Sequence, residues 1–127
     1  MCGCVHAFLV SGCGLLCTCV NGADCCVQVF SADGRHLYDI GSSGTGGVSS
    51  RGTYSGVCMD DSGHYLATRT EKGRCIVQVF DNDGHWMFDV DSHDDRLRRP
   101  SGIDVDSAGF VYVADLGNDC IKKFPYM

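Results

Sequence analysis

Cys2, Cys4 and His6 would share one face of an extended segment, as would Cys17 and Cys19, and thiolates set that way could recruit a soft metal. The spacing is not that of the common zinc modules. The chain holds no Cys-x-x-Cys pair, so it encodes no paired-cysteine zinc module, and small buried thiols in a packed interior account for these residues better than a metal does. No metal site is expected.

Other chemical signals are equally thin. Gly41-Ser42-Ser43-Gly44-Thr45-Gly46-Gly47 has the glycine content of a phosphate loop, yet no Lys follows and no helix-forming segment comes after it, so it reads as a connector. Asp81-Asn82-Asp83-Gly84 resembles the start of a calcium loop but lacks a Glu at the required distance. There is no Gly-x-Ser-x-Gly, and the five histidines are scattered, which counts against a hydrolase. Trp86 and Phe88 alternate on one apolar run and suit a strand covering a sheet surface. The densest basic stretch is His93-Asp94-Asp95-Arg96-Leu97-Arg98-Arg99-Pro100, with three of the ten basic residues, and Asp94 and Asp95 offset part of that charge locally.

Composition narrows the classes further. A net charge of −6 weakens nonspecific attraction to nucleic acid and to anionic membranes. Seven of the ten cysteines lie within the first 26 residues, and the others stand alone at Cys58, Cys75 and Cys120. That uneven spacing favours reduced thiols and a cytoplasmic setting over a disulfide framework. The start of the chain is moderately apolar, but it has no basic n-region and is broken by Ser11-Gly12 and Gly14, so no membrane role is expected.

The elements that must position any site are visible as repeats. Val27-Gln28-Val29-Phe30 with Asp33-Gly34 recurs as Val77-Gln78-Val79-Phe80 with Asp83-Gly84, and Cys120-Ile121-Lys122-Lys123-Phe124 is a third, truncated copy. Phe30 to Phe80 is 50 residues, Phe80 to Phe124 is 44, and Ser55-Gly56-Val57 to Ser101-Gly102-Ile103 is 46. Periods in the forties with several short strands per unit indicate β-propeller blades.

The last copy shows the strands best. Ile103-Asp104-Val105-Asp106 alternates, Ser107-Ala108-Gly109 turns the chain, and Phe110-Val111-Tyr112-Val113-Ala114 is β-branched and aromatic. Asp115-Leu116-Gly117-Asn118 turns it again into a third strand ending at Phe124. In the earlier copies the Asp-Gly dipeptides predict tight hairpins into fourth strands, His36-Leu37-Tyr38-Asp39-Ile40 and Trp86-Met87-Phe88-Asp89-Val90. The turn through Thr68-Arg69-Thr70-Glu71-Lys72-Gly73 is two residues longer than its counterpart.

Residues 99–118 carry, almost completely, a pattern that resembles the NHL repeat, and the ending Gly117-Asn118-Asp119-Cys120-Ile121-Lys122-Lys123-Phe124-Pro125-Tyr126 is similar to the C-terminus of TRIM-NHL proteins of the tripartite motif-containing two/three branch. The resemblance covers roughly residues 15 to 127 and implies an all-β, partial NHL-type β-propeller of just under three four-stranded blades, at 1–40, 41–90 and 91–127, the last lacking its fourth strand. Propellers of that family close with about six blades, so the chain reads as part of a larger ring, or as one arc of a homodimer that closes one. The resemblance further implies a non-catalytic module that selects partners for a ubiquitin ligase, whose RING would lie elsewhere, with RNA-binding repression as the alternative. No cofactor is implied. On the family's partner face fall Arg96, Arg98 and Arg99, and in the preceding unit Arg51 and Tyr54, which makes these the binding candidates. With Arg51 alone as the basic residue there, a continuous basic track for single-stranded RNA is poorly supplied.

Overall fold

The computed structural model describes residues 6–10, 15–20, 26–41, 52–71, 73–90 and 96–127. Its strands, in chain order, are β1 (His6–Val10), β2 (Leu15–Val20), β3 (Cys26–Phe30), β4 (His36–Ile40), β5 (Thr53–Met59), β6 (Tyr65–Glu71), β7 (Arg74–Phe80), β8 (Trp86–Val90), β9 (Pro100–Val105), β10 (Phe110–Asp115) and β11 (Cys120–Pro125). They form three antiparallel meanders, β1-β2-β3-β4, β5-β6-β7-β8 and β9-β10-β11. Strands adjacent in sequence are neighbours in each sheet, so the order in space follows the order in sequence. The apolar stretch at 7–10, which carried no strand assignment from its composition, lies in β1 and pairs with β2 in the register His6↔Cys19 to Val10↔Leu15.

Burial shows how the sheets stack. Leu66, Ala67, Thr68 and Arg69 of β6 are all buried, as are consecutive residues of β7, because the middle sheet is covered on both faces. Alternation then sorts those residues between two cores. Tyr65, Ala67 and Phe80 face the first sheet and meet Cys17, Cys19, Val27 and Val29. Leu66, Val77 and Val79 face the third sheet and meet Val111, Val113 and Phe124. Among the described residues the last sheet is covered on one face, and β10 accordingly alternates, with Val111, Val113 and Asp115 buried and the residues between them less so. Each fully buried aliphatic in these layers contributes about 1.5–3 kcal/mol.

The first strands of successive sheets lie side by side. Ser55 Oγ on β5 donates to the Pro100 carbonyl of β9 at 2.8 Å and shares a 2.8 Å bond with Thr68 Oγ1. A Cβ on Gly56 would overlap the Ser101 carbonyl, so this close approach of two backbones requires glycine. Sheets stacked flank to flank, with their first strands adjacent, make a partial β-propeller.

The Asp-Gly hairpins differ from the tight two-residue loops that the dipeptide predicts. Gly34 donates its amide to the Ser31 carbonyl at 2.9 Å, and Ser31 in turn donates to Arg35 at 2.8 Å, so Asp33-Gly34 occupies the second half of a longer turn. Residues 81–85 repeat this geometry. Gly34 and Gly84 sit at φ of 89° and 86°, the left-handed bulge that lets such a turn match the twist of its strands. The long turn after Thr68 extends the ladder, pairing Thr70 with Cys75 and Glu71 with Arg74.

Candidate functional site

The side chains of Arg96, Arg98 and Arg99 are exposed, and the backbone that carries them is held from several directions. Leu97, between them, is buried in the core shared by the second and third sheets. The buried Asp115 carboxylate, at the end of β10, accepts the amides of Arg98 and Arg99 at 3.1 and 2.9 Å. Asn118 Nδ2 donates to Asp115 at 2.6 Å and to the Arg96 carbonyl at 3.1 Å. Lys122 Nζ, almost wholly buried, donates to the same carbonyl at 2.8 Å and lies 3.7 Å from Asp115. The Arg98 carbonyl accepts the Cys75 thiol at 3.5 Å, and the Arg99 carbonyl accepts the Leu116 amide at 3.0 Å.

A short 3-10 turn, Leu116–Asn118, presses against this segment. A Cβ on Gly117 would come within 2.6 Å of Arg98 Cβ and 3.1 Å of the Arg99 amide nitrogen, so only glycine admits the contact. Asp119 then leaves the turn in the left-handed region at φ 52°, where Asp is among the few tolerated residues. Burial pushes the Asp115 carboxyl up, but the amide of Arg99, the Asn118 side chain, the amide of Arg98 and the Lys122 ammonium outweigh it and hold the group below the usual carboxylate range. The result is a fixed backbone projecting three guanidiniums at i, i+2 and i+3. None of the three forms an ion pair among the described residues.

Among the described residues the preceding blade does not repeat this site. Tyr54 is fully buried, donates to Gln78 Oε1 at 2.6 Å and lies under the Arg69 guanidinium, 5.0 Å from ring centroid to Cζ. It is a core residue rather than a surface contact, because it is fully buried in the first core with Val57, Tyr65 and Ala67. Arg51 lies outside the described residues. The registers Tyr54↔Arg69 and Pro100↔Asp115 show that Arg69 occupies the place of Asp115. Gly52 stands where Arg98 does, and a Cβ there would lie 2.7 Å from Arg69 Nη2. The turn Asp115-Leu116-Gly117-Asn118 was legible as a turn, but its grip on the arginine segment, about 16 residues earlier in the chain, was not.

Other polar groups are engaged in structure. Cys17 and Cys19 are fully buried in the first core, and Cys58, Cys75 and Cys120 form no disulfide among the described residues. Asp81 Oδ1 accepts the amides of Asp83 and His85 at 2.9 Å each, so the calcium-loop lookalike is a hairpin turn. Trp86 is partly exposed and donates to Asp89 at 2.8 Å, while Phe88 packs against the second core. A shallow cavity of about 170 Å³ lies between Asp60, Asp61, Asp106, Ser107 and Tyr126. Its carboxylates already accept His64 and Tyr126 on Asp60, and Phe110 and Tyr112 on Asp106.

The described strands are those of a propeller-type scaffold, with the arginine segment leading into β9. Residues 97–124 match the NHL repeat family, which makes the fold a partial propeller of NHL type. No curated protein matches the chain. Among solved structures it is similar to a protein of unknown function from Bacteroides caccae, with a TM-score of 0.61 and 12% identity over 91% of this chain. The chain spans 40% of the length of that structure, and the likeness is one of fold.

Proposed function

We propose that this chain is a non-catalytic protein-interaction module whose contact surface is Arg96, Arg98 and Arg99, acting as the partner- or substrate-selecting end of a TRIM-NHL type ubiquitin ligase in the cytoplasm. The observation that carries this reading is the clamp. Asp115, Asn118, Lys122 and Leu116 engage the backbone of 96–99, while the guanidiniums remain exposed. A pre-ordered loop spends little entropy on binding, and arginines so displayed suit carboxylates on a partner protein. Loops held by a rigid scaffold are where recognition residues concentrate.

RNA binding through the same three side chains, with post-transcriptional repression as the outcome, is the second reading. The exposure of all three guanidiniums on one segment favours it, and the buried Tyr54 weakens it by removing an aromatic platform. The test is quantitative cross-linking of the chain in cell extract, comparing wild type with a variant carrying Arg96→Glu, Arg98→Glu and Arg99→Glu, beside fluorescence anisotropy with labelled single-stranded RNA. A protein partner lost in the variant and retained in an Arg35→Glu control, followed by ubiquitination of that partner when the module is joined to a RING, supports the first reading. Partners indifferent to the three arginines refute it. Salt-sensitive RNA binding that the variant abolishes would transfer the assignment to the second.

A further inference from the structure

The 3-10 turn Leu116–Asn118 meets the arginine segment residue by residue. Leu116 donates its amide to the Arg99 carbonyl at 3.0 Å, Gly117 lies against the Cβ atoms of Arg98 and Arg99, and Asn118 Nδ2 donates to the Arg96 carbonyl at 3.1 Å. The Asp119 amide closes the turn by donating to the Leu116 carbonyl at 3.4 Å. The one large apolar side chain of the turn, Leu116, is 56% exposed and belongs to neither core. Asp115 therefore fixes two features together. Its carboxylate takes the amides of Arg98 and Arg99, and its own backbone leads directly into Leu116. An apolar residue is thus held next to a segment bearing three guanidiniums, on a backbone that needs no reorganisation to bind.

The preceding blade shows that the fold does not require an exposed apolar residue here. The registers Tyr54↔Arg69 and Pro100↔Asp115 set Thr70 in the place of Leu116. Thr70 is half-buried, pairs with Cys75 in the β6-β7 ladder and shares a 3.4 Å contact with its thiol. A single exposed leucine is ordinary on a protein surface, but one fixed beside arginines that form no ion pair among the described residues makes a composite patch. Asp119, exposed beyond the turn, sets one carboxylate against three guanidiniums, so the patch stays cationic. Guanidiniums suit carboxylates and phosphates alike. Leucine divides the two, because it offers no flat ring on which a base can stack, yet it gains from contact with another apolar side chain.

We propose that Leu116 is the apolar specificity residue of the arginine site, and that the partner is an acidic protein segment in which a large aliphatic residue stands among carboxylates. This inference rests on the reading of Arg96, Arg98 and Arg99 as a protein-contact surface. The carboxylates engage the guanidiniums and the aliphatic side chain covers Leu116. Charge brings the segment in, and burial of Leu116 separates it from other anions. A uniformly acidic segment or a nucleic acid satisfies only the first of these requirements, which is how the site discriminates.

The probe is a fluorescein-labelled peptide, Gly-Asp-Glu-Leu-Glu-Asp-Gly, titrated onto the full chain by anisotropy at low salt, beside the same peptide with alanine in place of its leucine. Expected are saturable binding of the leucine peptide, about fivefold weaker binding of the alanine peptide, and about the same loss for the leucine peptide on the Leu116→Ala chain. The two losses should not add, because each removes one side of the same contact. Leu116→Met keeps the contact and should bind as wild type does. Hydrogen exchange at the Arg98 and Arg99 amides should be unchanged in Leu116→Ala, which separates a lost contact from a loosened clamp. Binding that needs the three arginines but ignores Leu116 and the peptide's leucine would overturn this inference and leave the proposed function standing. Binding that persists in the Arg96→Glu, Arg98→Glu, Arg99→Glu variant would overturn the proposed function itself. No binding of either peptide, additive losses, or faster exchange at Arg98 and Arg99 in Leu116→Ala would each overturn the role given to Leu116. Displacement of the leucine peptide by single-stranded RNA that binds wild type and Leu116→Ala equally would overturn it too, in favour of RNA.

Discussion

Replacing Asp115 by Asn tests whether the arginine loop is held by a charge or merely packed. The carboxylate accepts three described donors, the amides of Arg98 and Arg99 and the Asn118 side chain, with Lys122 Nζ 3.7 Å away. An amide side chain keeps one acceptor oxygen and turns an NH₂ group toward donors, so roughly two of the three bonds are lost. Bonds to a charged acceptor are worth about 1.5–3 kcal/mol each, and water entering a freed surface loop recovers part of that, leaving a net local loss of about 2–3 kcal/mol. Every 1.4 kcal/mol is tenfold, so the Arg98 and Arg99 amides should exchange with solvent about 30- to 150-fold faster. The Val111 and Val113 amides in the β9-β10-β11 ladder serve as internal controls and should be unchanged. The same measurement on wild type against pH has a defined sign. The folded-state pKa of Asp115 is depressed, so its contribution is fully present above the unfolded value of about 4 and is lost as pH falls through the lower folded value. Unaltered exchange at Arg98 and Arg99 in the Asn variant, or uniform acceleration through β10, would refute the clamp.

Gly117→Ala should displace the same loop by steric means, since its Cβ would meet Arg98 Cβ at 2.6 Å; we expect a loss of about 1–3 kcal/mol in urea unfolding, with faster exchange at 98 and 99. Tyr54→Phe removes a buried 2.6 Å bond to Gln78 and should cost about 1–2 kcal/mol in the same assay without altering any arginine-dependent interaction. Leu66→Ala, in the core between the second and third sheets, should cost about 2–5 kcal/mol and loosen those two sheets first, as read by exchange in β10. If RNA engages Arg96, Arg98 and Arg99, the logarithm of its affinity should fall with the logarithm of salt at a slope of about −2, three phosphates at about 0.7 each. A flat salt profile, or one unchanged in the triple Glu variant, removes that reading.

What could be read before the structure depended on how locally each feature is encoded. The four-strand period, the turn positions and β3, β4, β7, β8, β10 and β11 are written in alternation and Gly-Asp punctuation, signals confined to a few neighbouring residues. β1 carried no such punctuation, and its pairing with β2 depends on stacking against the rest of the array. Tyr54 illustrates the same limit for the site. It belongs to the segment before Ser-Gly that matches the basic loop one repeat later, where its own counterpart is Pro100, but whether it faces solvent was decided by Arg69 and Gln78, 15 and 24 residues further on. Arg98 and Arg99 were legible as basic residues, whereas the groups that fix them belong to the far end of β10 and the turn after it.

Arg69 stands in the second blade where Asp115 stands in the third, and the two side chains treat the backbone entering the first strand in opposite ways. At that position a side chain points along the end of the second strand toward the backbone entering the first. A carboxylate there can accept two successive amides and leave the attached side chains outside, as Asp115 does for Arg98 and Arg99. A guanidinium offers only donors, so it cannot hold amides. Arg69 turns instead onto the face of Tyr54 and lies 3.8 Å from Glu71, in space that Gly52 leaves empty. The same backbone frame thus produces a displayed loop in one blade and a buried cation in the next. At this position a carboxylate fixes the backbone entering the first strand, whereas a guanidinium packs on a ring and leaves that backbone to other partners.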